Sequence, residues 1–508
     1  MVVRWQAAVS HHEHVPVRRR VVEAALVAGA LWYLGSYLVV ALARISYPYD
    51  LEWMEGGTLE HVARVLAGQP LYGPPSLEFT PYIYGPLYYH LAAPVAKLFG
   101  LRLLSLRMVS FAASLGVFAL IAALVHGRTR SRLGALVAAG LFAALFKRSG
   151  AFFDLARVDS LALFFTLLAV WVLLASKRHD VAAGVLLAAA FFTKQSALLI
   201  AVPVVVARSW SLRGPQRLHG IAAFVALAVG GSLLLHLRTQ GWSTYYMFAL
   251  PASHPWVSGA WVGYWRDLFM VVPVAMLALA FVMAGARGAG AGAARPIELA
   301  AVLGALAESW SSRLHGGGYD NVLMPVYACL VWQTGLVLGG LVQPAPGDVP
   351  SLTKRRALLA LAPWACLVQL ALLWSPPWRQ VPTAADRAAG AALVAKLAVV
   401  PGPVLVPYHP HLGRLAGKAT HAHEMALADV MRGGDRRAID ALAADVRRRL
   451  AAREFAVVVV DQDWWLADLG ASYIHSQTLW AAEPAVFWPR TGWQVRPRDM
   501  YEPRATGR

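Results

Sequence analysis

Residues 24–60 are AALVAGALWYLGSYLVVALARISYPYDLEWMEGGTLE: an apolar run long enough to cross a membrane, followed at once by an acidic segment. The segment carries four carboxylates: Asp50, Glu52, Glu55 and Glu60. Acids are scarce elsewhere, because the whole chain has 28 Asp and Glu against 46 Lys and Arg. Ionisable groups beside a bilayer are costly and usually serve polar chemistry there. We therefore expect an acid–base site where the first span leaves the membrane.

The rest of the chain repeats the apolar pattern. Its 508 residues are 58% hydrophobic and only 15% charged, whereas a soluble protein has about a quarter charged residues. Crossing a membrane takes roughly 20 apolar residues. The runs are Ala24–Ala43, Met108–Val125, Leu133–Phe146, Ser160–Ser176, Val181–Thr193, Gln195–Ala207, Gly220–Leu235, Leu268–Ala286, Leu299–Ala307, Asn321–Val342 and Ala357–Trp374. They predict a polytopic α-helical membrane protein with about 11 transmembrane helices.

The net charge of +18 is distributed in alternate loops rather than in one basic patch. This distribution follows the positive-inside rule, so topology explains the charge and nucleic-acid binding is disfavoured. Residues 1–20 are then a cytoplasmic tail, 21–375 a membrane module with a large outside loop at 44–104, and 376–508 an extracytoplasmic domain. A bacterial inner membrane is the expected location.

One break in the pattern affects every later loop. Lys194-Gln195 separates two 13-residue apolar runs, each short for a bilayer but together too long for one span. A single span would move the basic loop 208–217 to the outside, against the charge rule. We expect two short helices, with Lys194 at the outer surface.

The C-terminal region has a different composition. Runs with helical spacing at 386–399 and 435–454 alternate with β-branched runs at 404–407 and 456–461. This alternation predicts a small α/β domain. It contains neither GxGxxG nor a P-loop, so nucleotide binding has no support. Its four histidines are expected to be solvated loop residues, with metal binding as the alternative: His409, His411, His421 and His423.

Polar groups also cluster at other outside positions of the proposed topology. They are Arg157 and Asp159 before the fourth span, Lys194 and Gln195 at the break, and Arg313, His315, Tyr319 and Asn321 before the tenth. Such an inventory suits sugar transfer from a lipid phosphate. A carboxylate takes the proton of the attacking hydroxyl, and cationic groups stabilise the departing phosphate. Each group taken alone is equally well explained as a structural ion pair or a snorkelling side chain.

Lined up in order, these motifs resemble GT-C-type glycosyltransferases that use polyprenyl-phosphate sugars, such as protein O-mannosyltransferases, aminoarabinose transferases of lipid A and lipopolysaccharide galacturonosyltransferases. In those families an acidic pair precedes a Leu-Ala-x-Gly-like turn. Here Met54-Glu55 precedes Leu66-Ala67-Gly68 at that spacing, with Met in place of the first acid. Asp159, FTKQ at 192–195, FTPYIYGPLYYHLAAP at 79–94 and HGGGYDNVLMP at 315–325 resemble later family motifs.

The resemblance implies an inverting transferase acting on a glycan, lipid or protein acceptor. It implies catalytic carboxylates among Glu55, Asp50, Glu52 and Asp159, without deciding which acid of the first loop is the base. Donor phosphate would be held by Lys194, Arg157, Arg313 and His315. Other substrate contacts would come from Tyr82, Tyr84, Gln195, Tyr319 and Asn321.

Two questions stay open from the sequence. No cofactor is certain, and a divalent metal in the acidic loop is possible because oligosaccharyltransferases of the same superfamily need one. A transporter or lipid flippase, or a non-catalytic membrane scaffold, are the alternative functions. A transporter would favour internal repeats and mid-span polar groups, which the sequence does not show.

Overall fold

The computed structural model describes residues 17–176, 178–284, 294–342 and 353–505. Most of the expected N-terminal tail, residues 1–16, lies outside this range. The described chain is mostly helical, with a four-stranded sheet near its C-terminal end.

Each apolar run of the sequence overlaps at least one helix of the described residues. The helices of this part are α1 Val17–Arg44, α2 Glu55–Leu66, α3 Leu87–Phe99, α4 Leu103–Thr129, α5 Arg132–Ala144, α6 Asp159–Ala175, α7 Asp180–Thr193, α8 Leu198–Trp210, α9 His219–Arg238, α10 Trp242–Thr244, α11 Leu250–Ser253, α12 Ala260–Val271, α13 Pro273–Ala284, α14 Ala294–Leu314, α15 Met324–Val342 and α16 Thr353–Leu372. A π-helical turn, Tyr245–Ala249, joins α10 to α11.

Length and composition single out the strongest membrane helices among the described residues. Four segments are long and apolar enough to cross a bilayer: Arg19–Arg44, Leu103–Thr129, Pro215–Arg238 and Asp320–Gly340. Five shorter apolar helices accompany them, at Arg132–Ala144, Asp159–Ala175, Asp180–Thr193, Gln195–Trp210 and Leu361–Leu372. The chain is a membrane protein, as its composition predicted.

One predicted span has different bounds. The run Leu268–Ala286 was expected to be continuous, but α12 and α13 meet at Val272 with a bend of 98°. The physical reason is Pro273, which has no N–H to donate and disfavours helical geometry in the residue before it. Leu268 to Val271 therefore belong to a helix of another direction.

The break at Lys194 is present. Helix α7 ends at Thr193, Lys194 is extended, and a 3₁₀ turn over Gln195–Ala197 leads into α8. The loop after α2 packs against this break, because Gln195 Nε2 donates to the Ile83 carbonyl at 2.6 Å. Gly85 lies so close to the Phe192 carbonyl that a Cβ there would stand 2.1 Å from the oxygen. Glycine at this position thus lets the first large loop reach the α7–α8 break.

The C-terminal region combines helices with a mixed sheet. Its helices are α17 Ala384–Ala398, α18 Pro410–Leu415, α19 Glu424–Met431, α20 Arg436–Ala451 and α21 Leu466–Ser472. Its strands are β1 Val404–Leu405, β2 Val457–Val460, β3 Tyr473–Thr478 and β4 Asp499–Pro503. They lie in the order β1-β2-β4-β3, with β1 parallel to β2 and the other pairs antiparallel.

This region packs on the loop that follows α1. The Leu51 carbonyl accepts hydrogen bonds from the amides of Arg490, at 2.8 Å, and Thr491, at 3.1 Å. Arg414 pairs with Glu60 through two guanidinium nitrogens. The acidic segment of the sequence is therefore enclosed between the helical bundle and the C-terminal region.

Candidate active site

A cavity of about 1590 Å³ separates the helical bundle from the C-terminal region. It is lined by residues of the loops that the sequence placed on one side of the membrane, together with the C-terminal region. The predicted site residues found in its lining are Glu52, Tyr82, Tyr84, Arg157, Lys194, Gln195, Arg313, His315, Tyr319 and Asn321. Three predicted residues are absent from it: Asp50, Glu55 and Asp159.

Glu52 is the first-loop carboxylate that lines the cavity. Its Oε2 accepts from Arg157 Nη1 at 2.9 Å and from the Met54 amide at 3.3 Å. Arg157 Nη2 donates to the Tyr84 hydroxyl at 2.9 Å, which fixes the guanidinium. Among the described residues, no hydrogen bond reaches Glu52 Oε1.

The surroundings of Glu52 favour its protonated form. Burial, opposed by Arg157 and reinforced by the negative charges of Glu55 and Asp50, raises the pKa of Glu52 to about 7. A carboxylate with a pKa near neutrality is well suited to accept a proton and release it again.

Glu55 has the opposite character, although the resemblance made it a leading candidate for the base. Both of its oxygens are held by Arg107, at 2.8 and 2.6 Å, and both side chains are fully buried. The amides of Ala156 and Leu51 also donate to it. Burial would raise its pKa, but Arg107 and these amides hold it below the ordinary value. Glu55 therefore ties α2 to α4, and both of its oxygens are hydrogen-bonded.

Asp50 also faces away from the cavity. Its Oδ2 lies 2.6 Å from His409 Nδ1, while His409 Nε2 lies 2.8 Å from Asp461 Oδ2. Burial would lower the pKa of His409, but the two carboxylates, Asp461 foremost, raise it to about 10. The imidazolium thus joins the first loop to the C-terminal region.

The expectation of solvated histidines was wrong for three of the four. His409, His411 and His423 are buried, because the C-terminal region packs on the first loop there. His423 Nε2 lies 2.9 Å from the Trp53 carbonyl, so it also contacts the segment that carries Glu52.

Asp159 lies directly behind the cavity. Its Oδ1 accepts from Lys194 Nζ at 2.8 Å and from Asn321 Nδ2 at 2.9 Å, and both donors line the cavity. The second oxygen, Oδ2, is buried and has no hydrogen-bond partner among the described residues. Asp159 therefore pairs with Lys194 and does not itself line the cavity.

Arg313 and His315 end α14 and begin the glycine-rich loop. Arg313 Nη1 donates to the Gly318 carbonyl at 2.8 Å and lies 3.5 Å from Asp320. His315 Nδ1 is buried without a partner among the described residues. Of the aromatic candidates, the Tyr82 hydroxyl donates to the Met54 carbonyl at 3.0 Å, and the Tyr319 hydroxyl lies 3.2 Å from Thr491 Oγ1.

Several lining residues were not found from the sequence. Glu424, Asp429, Arg432, Gln462, Trp493 and Gln494 come from the C-terminal region. No motif marks them, since only folding brings them to the first loop. Arg107, the partner of Glu55, could have been found from the sequence, because an arginine at the start of an apolar helix needs a buried partner.

The metal alternative was tested against the side-chain positions. Among the described residues, no group of three His, Cys, Asp or Glu side chains could hold a metal ion. The first-loop carboxylates are instead engaged by Arg157, Arg107 and His409.

Comparison with known proteins gives a match in fold. No family model and no curated protein matches the sequence. ArnT from Cupriavidus metallidurans, in the apo state, superposes with a TM-score of 0.56 at 14% identity, covering 93% of this chain and 97% of that one. The same protein bound to undecaprenyl phosphate gives 0.55 at 15% identity, with the same coverage.

A weaker similarity is to the arabinofuranosyltransferase AftD from Mycobacteria, with a TM-score of 0.49 at 15% identity over 96% of this chain and 40% of that one. The ArnT superpositions extend over the membrane helices and the C-terminal region alike. The chain therefore has the same fold as ArnT, as the resemblance of its motifs to aminoarabinose transferases predicted.

Proposed function

We propose that this protein is a membrane glycosyltransferase that moves a sugar from a polyprenyl-phosphate donor to an extracytoplasmic acceptor, with inversion at the anomeric carbon. The observation that carries the proposal is the cavity in which Glu52, with one unbonded oxygen, faces the same space as Lys194, Arg157 and Arg313. The ArnT structure of the same fold was solved with undecaprenyl phosphate, which supports a polyprenyl-phosphate donor here.

Each group has a step in this mechanism. Glu52 takes the proton from the acceptor hydroxyl. The hydroxyl oxygen attacks the anomeric carbon from the side opposite the phosphate. The bond from that carbon to the phosphate oxygen breaks, and polyprenyl phosphate leaves with one more negative charge. Lys194 and Arg313 stabilise this charge through charge-assisted hydrogen bonds.

The topology belongs to the proposal as well. We propose eleven crossings, the N-terminus in the cytoplasm, and residues 376–508 as a domain outside a bacterial inner membrane. The basic residues in alternate loops support this orientation. All cavity-lining loops then lie on the outer side, where a polyprenyl chain in the bilayer can present its sugar.

A reconstituted assay tests the function. The purified chain, in nanodiscs, is incubated with undecaprenyl-phosphate sugars and a cell-envelope extract, and released undecaprenyl phosphate is measured by mass spectrometry. We expect release by the wild type and its loss in Glu52→Gln. Glu454→Gln, an exposed carboxylate paired with Arg449, is the matched control and should stay active.

The assay also separates the alternatives. The same protein can be reconstituted in liposomes of the same lipid composition. Movement of a lipid or solute across their membrane, without any cleavage of the donor, would favour a transporter. Binding of the donor without turnover, unchanged in Glu52→Gln, would favour a scaffold and overturn the proposal.

A further inference from the structure

The free oxygen of Glu52 points toward one particular wall of the cavity. A Cβ built on Gly492 would lie 2.9 Å from Glu52 Oε1 and 2.8 Å from its Cγ. Gly492 also has φ +75°, a conformation that favours glycine. The wall beside the reacting oxygen therefore belongs to the C-terminal region.

This wall is fixed to the first loop by residues 490–494, called the strap below. Two strap amides bond to the Leu51 carbonyl, and Thr491 pairs with Glu52 as a parallel β-bridge. Thr491 Oγ1 donates to the Gly150 carbonyl at 2.5 Å. The strap and Glu52 are thus held as one unit.

Trp493 is the strap residue that offers the largest surface to a ligand. It lines the cavity, and 47% of its surface is exposed although it stands inside a protein cleft. Its ring contacts are edge-type, at 84° to Trp53 and 61° to Tyr408. Among the described residues, no ring stacks parallel to the indole.

Polar side chains line the same cavity as Trp493. Gln494 and Gln462 carry amides to the same cavity, and Glu424 lies there with its Oε2 2.5 Å from Trp464 Nε1. An aromatic face in a cavity that also carries amide and carboxylate groups matches the chemistry of a sugar, whose C–H face is apolar and whose rim bears hydroxyls.

We propose that the strap wall is the acceptor subsite and that the acceptor is a saccharide whose ring lies on Trp493. This inference rests on the proposed function, in which the acceptor hydroxyl must meet Glu52 Oε1. The proton of that hydroxyl passes to Glu52, and the hydroxyl oxygen forms the new glycosidic bond with the anomeric carbon. The bond from that carbon to the phosphate oxygen breaks, and polyprenyl phosphate leaves with its electrons. Trp493 binds the acceptor and takes no part in proton transfer.

Binding to defined saccharides tests the subsite. The full chain in nanodiscs is applied to an array of hexose, pentose and amino-sugar oligosaccharides, with peptides and phospholipid vesicles as comparison ligands. We expect saccharide binding that Trp493→Ala weakens about tenfold and that Trp493→Phe largely keeps. Trp488→Ala is the control, because Trp488 is exposed on the same region beside Arg496 and does not line the cavity.

Donor cleavage in the presence of the cell-envelope extract is measured in parallel, so that the two proposals fail separately. A raised acceptor KM in Trp493→Ala, with the wild-type KM in Trp488→Ala, supports the subsite. Saccharide binding equal in wild type and Trp493→Ala, or binding to peptides or vesicles only, overturns the subsite and leaves the transferase standing. Absence of donor cleavage in every variant overturns the transferase itself.

Discussion

Glu52 and Glu55 lie on consecutive turns of one segment, and each is paired with a buried arginine, yet their surroundings differ completely. Arg107 saturates Glu55 and also donates to the carbonyls of Tyr47 and Tyr49, so this pair closes the base of the loop. Arg157 leaves one oxygen of Glu52 unbonded in the cavity. The arginine–glutamate pairing therefore does not distinguish the two carboxylates; the bonding of the second oxygen does.

The sharpest way to break this comparison is to neutralise the cavity carboxylate. Glu52→Gln keeps the shape but cannot accept a proton, and we expect the rate of transfer to fall by about 10²–10⁴-fold. Donor release by mass spectrometry measures it. The variant should still show a cooperative thermal unfolding transition in detergent. Transfer of sugar at the normal rate by this variant would remove Glu52 from the mechanism.

Disruption of the buried Arg107–Glu55 pair should lower the stability of the protein. Arg107→Met leaves Glu55 buried without a counter-charge, which costs about 3–5 kcal/mol. We expect a clearly lower midpoint of thermal unfolding, largely restored in the double variant with Glu55→Gln. A single variant of normal stability but lost transfer would reverse the roles assigned to the two glutamates.

Removal of the cavity lysine should have a smaller effect. Lys194→Met deletes one charge-assisted contact to the departing phosphate, worth about 1.5–3 kcal/mol or roughly 10–100-fold in kcat/KM. Asp159→Asn loosens the position of Lys194 and should lower activity less. Equal losses in Glu308→Gln, which contacts Ser196 instead, would point to general disturbance of the α7–α8 break.

The smallest effect concerns pH. Because burial first of all raises the pKa of Glu52 to about 7, kcat/KM should fall as pH drops below 7, approaching tenfold per unit. Because the carboxyl ionises near pH 4.5 in the unfolded chain and near 7 in the folded one, folding free energy is lost as pH rises from about 4.5 to about 7 and stays lost above it. Glu52→Gln should therefore unfold at a higher temperature than the wild type at pH 8 and similarly at pH 4.

Sequence reasoning worked where chemistry and local pattern coincide. Apolar runs gave the helices, and the Lys194 break followed from run length and charge. The convergence of Lys194, Arg157 and His315 followed from loop order, because loops on one side of a bundle must meet. The bend at Val272 was not predicted, although Pro273 disfavours a continuous helix there.

The remaining features depend on contacts between distant parts of the chain. Nothing in the local sequence separates Glu52 from Glu55, since the difference arises from Arg107, Arg157 and the Gly492 turn. The buried bridge from Asp50 through His409 to Asp461 likewise joins three separate segments. Histidines in loop-like sequence appear solvent-exposed until the partner surface is known.

The strap has a consequence for the timing of biogenesis. The Glu52 segment is translated early, while the helical bundle is still being inserted, and Gly492 and Trp493 are translated only after the described membrane helices. Until then Glu52 has no neighbour on that side. A nascent chain thus holds an unfinished pocket throughout membrane integration, and residues 490–494 complete it.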